Sequence, residues 1–214
     1  MAKPGNVPIP TVRRLSLYLR QLERLNAAER RTISSKALGE ALNLSDAQVR
    51  KDLAYFGQFG YPGIGYRVPE LMQRVRRILG TDKRSNVLLV GTGNLGRALI
   101  AYRGFTKKGF EVVAAFDHDR AKVGTRVSAE PPVHVLPMDQ LPAVVRRASI
   151  RHGIIAVPAD AAQTVADHMV TAGIRAILNF APVTLHVRHD IAISSVDLAV
   201  HLEQLSFQVS GRSR

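Results

Sequence analysis

Apolar residues at Val12, Leu15, Leu19, Leu22 and Leu25 recur at three- and four-residue intervals, with Arg13, Arg14, Arg20 and Arg24 mostly off the stripe. That spacing predicts one buried face of a helix, and Thr11, behind Pro8 and Pro10, is its expected N-cap. After the polar stretch Asn26 to Arg31, Ser34 or Ser35 is placed to cap a short helix with Ala37, Leu38, Ala41 and Leu42 inward. Ser45-Asp46-Ala47-Gln48 reads as a capping box opening a third helix to about Phe56. From Gly57 to Tyr66, four glycines alternate with aromatics, which suits a tight hairpin. Three short helices followed by such a hairpin form the winged variant of the helix-turn-helix. A further amphipathic stretch, Val68 to Leu79, leads to Gly80-Thr81-Asp82-Lys83-Arg84, so the first domain is expected to span residues 1–80.

The period then changes. Val87-Leu88-Leu89-Val90 reads as a buried strand, and Gly91-Thr92-Gly93-Asn94-Leu95-Gly96 opens a helix to about Tyr102. Val112 to Phe116 is a second strand ending at Asp117; strands at Val133–Val135, Gly153–Val157 and Ala176–Phe180 alternate with helices over 138–148 and 159–172. This rhythm predicts an α/β domain over 81–195, a parallel sheet covered on both faces. Residues 196–214 carry a last helix, apolar at Leu198, Leu202, Leu205 and Val209, with Val200 and Phe207 on other faces. An apolar surface on several sides needs more than one cover, and a second subunit is the expected source.

Charge changes the picture of the first domain. Residues 1–80 hold 14 Lys/Arg against 6 Asp/Glu, whereas residues 81–214 hold 16 against 11. The positive density of the first segment is roughly three times higher, the footprint of a polyanion-binding domain. The chain has no cysteine, which excludes disulfides, Cys-ligated zinc and thiol nucleophiles. No apolar run approaches a membrane span, and the first residues lack a secretory h-region, so the cytoplasm is the expected location.

Two places carry candidate chemistry. The glycine run stands between a strand and a helix, with an acid at the end of the next strand, the context a dinucleotide-binding fingerprint requires. There Gly91 would make the tight turn, Gly93 would admit a pyrophosphate and Gly96 would let helix and strand pack, with Thr92, Asn94 and Leu95 between them. Asp117 could accept from ribose hydroxyls and repel a 2′-phosphate, favouring NAD(H). On the third helix Gln48 suits adenine, Arg50 and Lys51 suit guanine, and Tyr55 suits a phosphate; Tyr61 and Gly63 of the hairpin complete the expected DNA-contact set. His186 and His189 lack an obvious third ligand, so no metal site is expected, and no nucleophile–base pattern suggests an enzyme.

Four stretches, Ser45 to Tyr66, Leu89 to Leu99, Phe116 to Asp119 and Ile177 to Pro182, strongly resemble the bacterial redox-sensing repressor family Rex. The resemblance implies a homodimer with swapped C-terminal helices that binds a palindromic operator and lets go when NADH rises. It also implies that Tyr102 lies near the nicotinamide, that Asp197 reaches the partner's pocket, and that Arg20 exchanges partners with Asp197. Arg103 departs from the residue common at that place in the family. The competing readings are a small NAD-dependent oxidoreductase, for which only about 20 residues remain beyond the Rossmann segment, and a CoA- or nucleotide-binding module.

Overall fold

The computed structural model describes residues 7–128 and 131–210, and the chain divides into two compact units, Met1–Lys83 and Arg84–Arg214. The first unit contains α1 (Ile9–Ala27), β1 (Thr32–Ile33), α2 (Ser35–Glu40), α3 (Asp46–Ala54), β2 (Tyr66–Arg67) and α4 (Val68–Ile78). Its core gathers Leu15, Tyr18, Leu19 and Leu22 of α1 with Leu38, Val49, Leu53, Leu71 and Val75. Thr11 is not the N-cap of α1. Pro8 takes that position, and Thr11 lies inside the helix, buried against α3. Tyr18 is fully buried, whereas Val12 of the expected stripe is exposed.

Ser34 caps α2 and Ser45 caps α3, each hydroxyl accepting the backbone N–H three residues on. Only half of the expected capping box forms, because the Gln48 side chain donates to Asp52. The turn between α2 and α3 folds tightly against α2 only because Gly39 has no side chain: a Cβ there would lie 2.5 Å from the Leu44 carbonyl oxygen. Beyond α3 the chain returns as β2 to pair antiparallel with β1, which precedes α2, and Tyr61 bridges Gly65 to close the hairpin tip. These pieces build a winged helix-turn-helix.

The second unit is a seven-stranded sheet in the order β5-β6-β4-β3-β7-β8-β9. Its strands are β3 (Ser85–Val90), β4 (Phe110–Asp117), β5 (Arg126–Ser128), β6 (Val133–Pro137), β7 (His152–Ile155), β8 (Ala176–Asn179) and β9 (Ala192–Ser195). All neighbours are parallel except the β5–β6 edge pair. Neither β5 nor β9 was expected from the pattern, being too short or too polar to announce itself. The helices are α5 (Asn94–Ala101), α6 (Arg103–Lys107), α7 (Leu141–Arg147), α8 (Ala159–Ala172) and α9 (Leu198–Ser210), with a 3-10 turn at Met138–Gln140 ahead of α7.

Alternation along β3 sends Leu88 and Val90 into a core with Val144, Val165 and Met169 of α7 and α8. Val87 and Leu89 face the other way, towards Leu99 and Phe105 of α5 and α6. From β3 the chain winds outward to β4 and β6, then returns across β3 to β7, β8 and β9. The order therefore reverses between β3 and β7, the switch point where doubly wound sheets open a ligand crevice. Among the described residues no helix is long and apolar enough to cross a membrane.

Candidate functional site

The glycine turn begins where β3 ends. Gly91 has φ 98°, in the left-handed region, and a Cβ there would lie 2.5 Å from the carbonyl oxygen of Ala156, just past β7. A Cβ on Gly96 would lie 1.8 Å from the Gly91 carbonyl oxygen, so α5 packs onto the turn only because residue 96 has no side chain. Gly93 differs from both. It is exposed, its backbone is extended, and a Cβ would meet nothing within 4 Å. No side chain caps α5 at Gly93, so the positive end of the helix opens on free space. The three glycines thus occupy three distinct environments, and the open one faces outward where an anion would be cradled. Asn94 and Leu95 are exposed beside it.

Asp117, at the C-terminal end of β4, is 3% exposed and already fully engaged. Its Oδ2 accepts from the Thr92 backbone N–H at 2.8 Å, the Thr92 hydroxyl at 2.7 Å and Lys122 Nζ at 3.2 Å. Its Oδ1 accepts from the Asp119 N–H at 3.0 Å. Burial pushes this carboxyl up, but these donors outweigh it and hold the pKa down to about 2. Asp117 is therefore first a strut under the glycine turn, which sequence reasoning missed because an acid at this strand end reads alike whether it faces a ligand or the turn. Lys122 also lies 3.8 Å from the more exposed Asp119.

Tyr102 interrupts the helix between α5 and α6; it is 58% exposed and meets Phe105 edge-to-face at 5.1 Å between ring centroids. Gly104 makes room for this ring, since a Cβ there would lie 2.3 Å from it. Asp197 caps α9, its Oδ1 accepting from the N–H groups of Ala199 at 2.9 Å and Val200 at 3.2 Å. No hydrogen bond to its Oδ2 occurs among the described residues. The helix it caps buries none of its side chains: Leu198, Val200, Leu202, Leu205, Phe207 and Val209 are all exposed. Arg20 of the first unit is exposed and forms no ion pair among the described residues.

On the winged-helix unit, Arg50 and Lys51 stand exposed on α3, with Gln48 and the Tyr55 C-cap half-buried. Arg50 is tethered by Asp46 at 2.6 Å and by the Ser35 hydroxyl at 3.1 Å. Lys51 has no such tether among the described residues. An open groove of about 710 Å³ lies between α3 and the hairpin, lined in part by Arg50, Tyr61, Gly63 and Ile64. The Tyr61 ring carries the Arg67 guanidinium at 4.9 Å, and its hydroxyl donates to Glu70 at 3.2 Å. Sequence reasoning also missed the buried side chains behind α3. Asp52, 0% exposed, accepts from Arg14, Tyr18, Thr11 and Gln48. Burial works against its charge, but the Arg14, Tyr18 and Gln48 donors prevail and lower its pKa.

A winged helix-turn-helix joined to a Rossmann unit with an open phosphate-type turn defines a two-domain DNA-binding regulator of the nucleotide-sensing kind. Family models agree on both halves: a DNA-binding protein N-terminus matches residues 6–54 and a CoA binding domain matches residues 82–183. The redox-sensing transcriptional repressor Rex of Desulforamulus reducens is 47% identical over 208 residues, covering 97% of this chain and 98% of its own. The Rex of Carboxydothermus hydrogenoformans is 47% identical over 207 residues, with 97% and 98% covered. Among solved structures, the Rex-family repressor RSP in complex with β-NAD⁺ and operator DNA aligns with a TM-score of 0.91 at 37% identity, covering 96% of this chain and 94% of RSP. RSP with β-NADH aligns at 0.85 and 35% identity, covering 97% and 96%. The chain belongs to the Rex family of redox-sensing transcriptional repressors.

Proposed function

We propose that the protein acts as a homodimer that holds a palindromic operator and releases it when NADH occupies the Rossmann crevice. It is a repressor and not an enzyme. The observation that carries this reading is the likeness over nearly the whole chain to RSP, which was solved both with β-NAD⁺ and operator DNA and with β-NADH. Gly91, Thr92, Gly93, Asn94, Leu95 and Gly96 would hold the pyrophosphate, with the uncapped α5 terminus supplying N–H donors. Asp117 keeps that turn in shape through Thr92. Together with Asp119 it sets two carboxylates against the single Lys122 ammonium, which disfavours a 2′-phosphate and so favours NAD(H) over NADP(H). Bound there, the cofactor supplies a nicotinamide that is cationic when oxidised and neutral when reduced.

On the DNA side, α3 would enter the major groove with Gln48, Arg50, Lys51 and Tyr55, while Tyr61 and Gly63 reach the duplex from the hairpin. The uncovered α9 would be exchanged between subunits, bringing Asp197 to the partner's Tyr102. Oδ1 of Asp197 serves its own helix and leaves Oδ2 for the switch. Asp197 then changes partners between Tyr102 and Arg20 as the nicotinamide charge changes. A protein acting on DNA in this way works in the cytoplasm.

Linkage supplies the test. NADH and operator must weaken each other by the same factor, so NADH affinity is measured with and without saturating operator, with NAD⁺ and CoA as competitors. A fall in NADH affinity with operator, shrinking in Asp197→Ala, supports the switch. An unchanged affinity refutes it, and displacement by CoA rather than NAD⁺ would reassign the ligand.

A further inference from the structure

Asp52 touches no predicted ligand, yet its carboxylate accepts hydrogen bonds from four side chains of the winged-helix unit. It lies one turn after Gln48 on α3, and Gln48 Nε2 donates to its Oδ1 at 2.8 Å. Behind it, Arg14 donates at 2.7 Å, Tyr18 at 2.6 Å and Thr11 at 3.3 Å, all from α1. We propose that Asp52 is a positioning residue that fixes which edge of the Gln48 amide faces DNA, so that α3 reads an exocyclic amine on a base. This inference rests on the reading that α3 enters the major groove.

Valence sets the orientation of the amide. An ionised carboxylate only accepts hydrogen bonds, so the amide must turn its NH₂ towards Asp52. An unrestrained glutamine flips its amide and offers either two donors or an acceptor. Here one N–H is committed inward, and Oε1 has no partner among the described residues. The outward edge is therefore an acceptor with at most one donor beside it. Adenine, with N6–H₂ and N7, matches that edge, and cytosine N4–H₂ matches its acceptor. Guanine shows two acceptors, N7 and O6, and finds too few donors. Donors for guanine come instead from Arg50 and Lys51 on the same helix. The three α1 side chains that donate to the carboxylate keep the amide preset before DNA arrives, so little rotamer freedom is lost on binding.

The experiment uses the full-length protein and duplexes selected by it from a random-sequence pool. Each adenine or cytosine in a half-site is then replaced, one at a time, by an analogue lacking the exocyclic amine. The wild type is expected to lose about tenfold in affinity at one position, the scale of a good direct contact, and to reject guanine there. Gln48→Ala should be indifferent at that position. In Asp52→Asn the neighbouring amide can face Gln48 with oxygen or nitrogen, so discrimination at that position should collapse while the salt dependence stays that of the wild type. Tyr18→Phe removes another donor from the same carboxylate; it should lower the melting temperature and leave base preference intact. Should Asp52→Asn fail to fold, NMR of the Gln48 side-chain NH₂ in the wild type decides. A rigid, hydrogen-bonded amide supports the proposal, and a freely averaging one overturns it. Guanine tolerated at the Gln48 position, or an amine effect surviving in Gln48→Ala, also overturns it. Failure to recover any bound duplex would sink the DNA-binding reading itself, a result distinct from either.

Discussion

Alanine placed singly at Gly93 and at Gly96 separates the two demands on the glycine turn, ligand access and packing. At Gly96 the new methyl would overlap the Gly91 carbonyl oxygen at 1.8 Å and approach its carbon at 2.9 Å. Both obstacles are backbone, so either α5 withdraws or the turn deforms. Overpacking of this kind costs about 1–3 kcal/mol, and a backbone overlap belongs at the upper end. For a unit of this size that lowers the melting temperature by ~5–10 °C. At Gly93 the methyl meets nothing, and φ −69° with ψ −167° is open to any residue. A poorer N-cap and a less flexible unfolded chain oppose each other there, leaving a net change within about 1 kcal/mol. Yet that methyl stands at the mouth of α5, where a pyrophosphate must come within hydrogen-bond distance of the backbone. Gly93→Ala should therefore keep its melting curve without ligand and lose NADH affinity by at least ~10-fold. Melting in the absence of ligand, paired with a fluorescence titration of NADH, reads both quantities. A Gly93→Ala protein that binds NADH like the wild type would refute the placement of the phosphates.

The depressed pKa of Asp117 makes the Rossmann unit acid-sensitive. Because its folded pKa is about 2 against an ordinary 3.8, its contribution, on the order of 2 kcal/mol, is complete above about pH 4 and disappears as pH falls towards 2. Denaturant unfolding at pH 6 and pH 3 should show about half of this loss, ~1 kcal/mol, in the wild type and a smaller one in Asp117→Asn; equal differences would exclude Asp117 as the titrating group. Replacing Leu202 and Phe207 of α9 with serine should turn a dimer into a monomer in analytical ultracentrifugation, with little effect on the stability of the Rossmann unit, whose core α9 does not join; a dimer that persists would place the interface elsewhere. Asp46→Asn should tighten operator binding, since it frees Arg50 from its pair and removes a negative charge from the end of α3 proposed to face DNA; weaker binding, with α3 still folded, would mean that the pair holds Arg50 in its proposed reading position.

Much of the architecture could be read from the chain because its signals were local. Ser34 and Ser45 announce α2 and α3, and the glycine run announces the β3–α5 turn, since capping and backbone approach act over three or four residues. The misreadings arose where partners lie far apart. Thr11 looks like a cap until Asp52, 41 residues on, proves to be what its hydroxyl meets. Arg14 falls off the apolar stripe and so reads as a solvated charge, although it pairs with a carboxylate 38 residues away. Asp117 shows the same limit from the other side: its position at a strand end was legible, but its commitment to Thr92 depends on how β4 lies beside β3. The strands β5 and β9 escaped notice because edge strands need little apolar alternation. For α9 the pattern was itself informative, since apolar residues on several faces are what a helix uncovered by its own chain presents.

That uncovered helix makes the protein's behaviour a matter of mass action. If a second copy covers the six large apolar side chains that one chain leaves exposed there, as proposed, the working state is tied to protomer abundance as well as to cofactor. Below the dissociation constant of the pair, α9 would lie bare, a target for proteolysis and a seed for aggregation. In such a dimer the amount of repressor in the cell would set a floor under the redox response, and lowering expression beneath it would silence the sensor with every binding residue intact.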